Sequence, residues 1–123
     1  MSVLKFIELD HFELCSGRNV SLRLSYQLFG KPLGNNPIVL VNHALTGNSQ
    51  VTGENGWWND VVGKGKVIDT EIYTVLAFNC PGNGFGGIEE SFLEFYKEFT
   101  ARDIARIFSE GLNRLNISAL YAI

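Results

Sequence analysis

The chain has 123 residues, 46% of them apolar, and Lys+Arg 10 against Asp+Glu 13 leave a net charge of −3. That apolar share supplies a core for one domain, or for part of a larger one, and argues against wholesale disorder. With no basic cluster, and no apolar run near the roughly 20 residues that span a bilayer, the composition argues against nucleic acid or a membrane as partner.

Phe12-Glu13-Leu14-Cys15 and Val20 to Tyr26 each alternate apolar with polar residues around Ser16-Gly17-Arg18-Asn19. This pattern predicts an antiparallel hairpin with one wet face, in which His11 is a surface residue. Breakers from Phe29 to Pro37 then form a loop. Ile38-Val39-Leu40-Val41 is an uninterrupted apolar run, which predicts a strand covered on both faces, as in a parallel sheet. It leads directly into Asn42-His43-Ala44-Leu45-Thr46-Gly47.

Trp57 to Val62 is expected to form one or two helical turns, with the tryptophans capping the core beneath the long preceding loop. Ile72 to Phe78 is β-branched and aromatic, hence a further buried strand, ending in the glycine-rich loop Asn79 to Gly87. Thr100 to Leu115 is the strongest helix. Thr100 is its N-cap, Asp103 stands at the third position as a capping-box partner, and Ile104, Ile107, Phe108, Leu112 and Leu115 share one face. Ile117 to Ile123 starts another strand. Strands alternating with helices predict an α/β fold, with a mostly parallel sheet and the N-terminal hairpin as its antiparallel edge.

Chemistry is expected at the exit of the 38–41 strand, where α/β sheets place ligands. A tight turn there can present backbone N–H groups to an oxyanion without reorganisation, and Leu45 or its neighbour Ala44 is the candidate donor. His43 has no identifiable acid partner and reads as a hydrogen-bonded turn residue rather than a general base. Cys15 and Cys80 read as free thiols in a reducing compartment, which together with the polar start of the chain points to the cytoplasm. No His/Cys/Asp/Glu spacing suggests a metal site. Arg102 and Asp103 read as a helix-start pair, and Glu89, Glu90 and Glu94 as a solvated face.

Four segments occur in order: His43-Ala44-Leu45-Thr46-Gly47, Trp57-Trp58, Gly63 to Thr70 (G-x-G-K-x-I-D-T) and Thr100-Ala101-Arg102-Asp103 (T-x-R-D). Together they resemble the homoserine O-acetyltransferase family of α/β-hydrolase-fold acyltransferases. The resemblance implies that residues 1–123 are the N-terminal part of a single α/β-hydrolase domain, an incomplete fold ending at its fifth strand. It implies an acyl group passing from acyl-CoA through a serine to the homoserine hydroxyl, with no bound cofactor. Leu45 (or Ala44) would supply an oxyanion N–H, and His43, Thr46, Gly47 and Asn79 would lie against substrate. The loop from Asn79 to Gly87 departs from the family's S-N-x-x-G-G pattern, which leaves the acceptor alcohol open.

In this fold the nucleophilic serine sits at a G-x-S-x-G elbow after the fifth strand, with the acid and histidine further on. Within residues 1–123 no such elbow occurs, and Ser91, Ser109 and Ser118 lack the flanking glycines. The expectation is therefore a segment that is inactive alone and self-associates through an exposed sheet edge. The alternatives are an esterase fragment, a non-catalytic interaction module, or a dinucleotide-binding fragment spelled by Gly82, Gly84 and Gly87. The last is the weakest reading, because Pro81 precedes the glycines and the next strong helix begins only at Thr100.

Overall fold

The hairpin forms, but its first strand is β1 (Lys5–Glu13) rather than Phe12–Cys15, and it pairs antiparallel with β2 (Asn19–Gly30), which runs on past Phe29, from Lys5↔Tyr26 to Glu13↔Asn19. The computed structural model describes residues 2–87 and 97–123, so Ser91, Glu89, Glu90 and Glu94 lie outside the described residues. The register shifts between Leu9 and Phe12, where His11 takes a left-handed φ of 57°. This bulge blunts the outer edge of the sheet. Arg114 and Arg106 cover the same strand, donating from Nη1 to the carbonyls of Glu8 at 3.0 Å and Glu13 at 2.9 Å.

The other elements are β3 (Ile38–Leu40), β4 (Val62–Gly63), β5 (Ile68–Asp69), β6 (Thr74–Phe78) and α1 (Ala101–Arg114). The main sheet runs β1-β2-β6-β3, with β6 antiparallel to β2 and parallel to β3. β4 and β5 form a separate parallel pair. Within the main sheet, parallel pairing among the described residues comprises β3–β6 and one bridge between Val39 and Ala122. The expected fifth strand is that bridge, held by Leu40 N–H to Ala122 O at 3.0 Å and Tyr121 N–H to Ile38 O at 2.8 Å.

The apolar run at 38–41 is covered on both faces, as its composition requires. Ile38 and Leu40 join Leu24, Leu76, Phe78 and Ile107 in the core under α1. Val39 and Val41 join Val51, Val62, Val75 and Ala77 on the opposite face. The helix follows its caps: the Thr100 hydroxyl accepts from Asp103 N–H at 3.1 Å, and an Asp103 carboxylate oxygen accepts from Thr100 N–H at 3.0 Å. Gly111 lies at the centre of its buried face, where a Cβ would stand 2.8 Å from both Leu24 Cδ2 and Phe78 Cε1.

Three further local expectations change. Residues 57–62 form turns rather than helix: the N–H groups of Trp57 and Trp58 donate to Gln50 and Val51 carbonyls, laying the segment across the preceding loop before it enters β4. The tryptophans accordingly stack on each other, 5.6 Å apart at 16°, and remain 43% and 37% exposed instead of capping the core. β6 begins at Thr74 rather than Ile72, because the N–H groups of Ile72 and Tyr73 both turn back onto Asp69 O.

Candidate functional site

The chain leaves β3 at its C-terminal end and closes a tight turn, in which Gly47 N–H donates to Ala44 O at 2.8 Å. Glycine is required at its end, since a Cβ at Gly47 would lie 2.9 Å from His43 Cβ and 3.2 Å from Ala44 O. His43 Nδ1 also contacts Ala44 O, at 2.6 Å, so both lone pairs of that carbonyl are engaged. In a trans peptide the C=O and the following N–H point in opposite directions. Holding Ala44 O inward therefore turns Leu45 N–H outward. Among the described residues neither Ala44 N–H nor Leu45 N–H donates to a protein acceptor, and the Leu45 side chain is 95% exposed. Thr46 is likewise exposed, and its hydroxyl meets no protein partner among the described residues.

The turn rests on a buried polar network. Asn79, at the end of β6, is 2% exposed. Its Oδ1 accepts from Ser49 N–H at 2.8 Å and from Asn83 Nδ2 at 3.0 Å, while its Nδ2 donates to Ser25 Oγ at 2.9 Å and Ser49 Oγ at 2.8 Å. All four side-chain valences are spent within the protein, so Asn79, expected beside substrate, stands in the structure as a brace between loops. Ser49 Oγ passes the chain on to Gln27 Oε1 at 2.6 Å, and Gln27 Nε2 to Gln50 Oε1 at 3.1 Å. Fully satisfied networks of this kind rigidify what they connect.

The second link is His43 itself, whose Nε2 accepts from Cys80 N–H at 2.9 Å. Both ring nitrogens are thus used on main-chain groups, and neither is left to hold substrate or take a proton from a nucleophile. Burial pushes the Cys80 thiol up, away from thiolate chemistry. The turn and the loop after β6 therefore stand together as one unit. Ser25, Gln27, Ser49, Asn83 and the backbone of Cys80 are absent from the candidates read off the sequence; Asn83 meets Asn79 only four residues away, but the partners of the others lie 22 to 54 residues away, with no local pattern to mark them.

The glycines Gly82 and Gly84 take left-handed φ values of 84° and 71°, and Gly87 ends a short 3₁₀ turn. The strong helix starts at Ala101, too far along the chain to be the helix such a fingerprint opens. Among the described residues no group of His, Cys, Asp and Glu could hold a metal, and no helix is long and apolar enough to cross a membrane.

A hairpin leading into a sheet covered on both faces, with a strand-exit turn presenting free amides, is an incomplete α/β-hydrolase fold. A homoserine O-acetyltransferase from Staphylococcus aureus superposes at TM-score 0.78 over 98% of the chain and 37% of its own, at 30% identity. The structure of esterase E22 superposes at 0.76 over 99% of the chain and 40% of its own, at 22% identity, and so bears on fold alone. By sequence the chain is a homologue of the homoserine O-acetyltransferases. It is 36% identical to that of Symbiobacterium thermophilum over 86% of its length, and 39% identical to that of Haloarcula marismortui over 65%. It spans about a third and about a fifth of those two relatives, at 32% and 22% of their lengths. No family profile matches the chain.

Proposed function

We propose that this segment supplies the oxyanion side of an acyltransferase site, which takes an acyl group from acyl-CoA through a serine to the hydroxyl of homoserine. The outward, unbonded N–H of Leu45 carries the reading. It lies at the strand exit, on a turn held by two hydrogen bonds to Ala44 O, and so would meet a tetrahedral oxyanion already oriented. Ala44 N–H is the alternative donor, and Thr46 and Gly47 line the approach. Among the described residues no serine stands at an exposed elbow: Ser49, the serine nearest the turn, is fully buried, with its hydroxyl bound to Gln27. The segment alone therefore does not turn over, and the serine, acid and histidine belong to the whole enzyme. A soluble cytoplasmic setting fits small, charged substrates of this class.

An esterase in which water replaces the acceptor alcohol would use the same turn. The loop from Asn79 to Gly87 favours keeping that reading, because it departs from the family pattern where acceptor would lie. An assay of the intact enzyme with acetyl-CoA, with and without homoserine, separates the two: thiol release that ignores homoserine defeats the transferase reading.

A further inference from the structure

A backbone N–H is always a donor, so the contact from Cys80 N–H to His43 Nε2 at 2.9 Å requires that nitrogen to be bare. The neutral ring's proton then lies on Nδ1, where Ala44 O stands 2.6 Å away as its acceptor. We propose that His43 is a positioning residue: a neutral, Nδ1-protonated clamp that ties the 44–47 turn to the loop after β6 and sets the tilt of the Ala44–Leu45 peptide. Gly47 N–H alone would leave that peptide free to rock about the turn. The imidazole adds a second bond to the same oxygen and anchors it across the chain to Cys80, 37 residues away. Leu45 N–H, opposite the held oxygen, inherits the fixed direction. The functional meaning rests on Leu45 as oxyanion donor; the clamp does not.

The test uses this chain with ¹⁵N labelling at mildly alkaline pH. Long-range proton–nitrogen correlation should show Nδ1 protonated and Nε2 bare, with a through-hydrogen-bond coupling between Cys80 N and His43 Nε2. A ring protonated on Nε2, or one without that coupling, overturns the proposal. In H43A the Leu45 N–H order parameter should fall from the rigid range, about 0.85, toward the flexible one, below about 0.6. H43Q, whose side-chain oxygen can replace Nε2 as acceptor, should restore much of the order. An unchanged Leu45 in H43A also overturns it. Should H43A fail to fold, the tautomer and coupling of the unsubstituted chain still decide. A failure of the acyl-transfer reading would leave these signals untouched.

Discussion

Asp103 Oδ1 accepts the N–H of Cys15 at 2.8 Å, across 88 residues of chain. The same carboxylate closes the capping box with Thr100, so one fully buried side chain both starts α1 and pins it to the hairpin turn. Asp103→Ala should cost about 2–3 kcal/mol, combining a lost cap with an orphaned Cys15 N–H. Urea unfolding of the two proteins measures it, and a loss below about 0.5 kcal/mol would mean that the link contributes little.

Burial alone would raise the Asp103 pKa, but hydrogen bonds from Thr100 and Cys15 outweigh it and hold the carboxyl at about 2, against an ordinary 3.8. A depressed folded value means the stabilisation is complete above the unfolded value and fades as pH falls from about 4 toward 2. The acid limb of the stability curve should therefore flatten over that window in Asp103→Asn. Parallel acid limbs in the two proteins would show that other carboxyls dominate.

Gly111→Ala sets two effects against each other. Alanine gains roughly 1 kcal/mol in helix propensity. Its methyl would stand 2.8 Å from Leu24 and Phe78, which are fully buried and have little room to yield. Overpacking of this kind costs about 1–3 kcal/mol, so net destabilisation is expected. A rise in melting temperature would show that α1 lifts off the sheet at little cost.

Leu45→Pro removes one N–H at a turn position that accepts proline. In the intact enzyme kcat should fall roughly 10²- to 10³-fold, with the fold unchanged by circular dichroism. Near-normal turnover would transfer the oxyanion role to Ala44 or elsewhere.

Trp58, Val67, Tyr121 and Ile123 surround an apolar cleft of about 370 Å³ beside β3. Val67, Tyr121 and Ile123 are 84%, 67% and 80% exposed. The opposite edge, β1, is blunted by its bulge and two arginines, so self-association of the isolated chain should proceed through the β3 side. Light scattering should show mass rising with concentration, and Val67→Lys should lower it. A monodisperse monomer at high concentration would refute this.

The periodicities of the chain determined its elements. Alternation gave the hairpin, an unbroken Ile-Val-Leu-Val run gave a strand buried on both faces, and Thr100 with Asp103 marked the helix start to the residue. The order of four short motifs was enough to point to the family, and the strand-exit position was enough to single out the 43–47 turn. These signals are local, since each depends on spacing within a few residues.

Tertiary structure decided what those residues do. It left Trp57 to Val62 as turns, with the Trp57 and Trp58 amides bound to the Gln50 and Val51 carbonyls of the preceding loop. It reduced the last strand to one bridge, made Gly111 a contact point and buried Asn79 as a brace. It engaged both nitrogens of His43, leaving the backbone of Leu45 outward. The hydrogen bonds between Asn79 and Ser25 or Ser49, between Cys80 and His43, and between Cys15 and Asp103 span 30 to 88 residues, and sequence spacing carries no trace of a partner that distant.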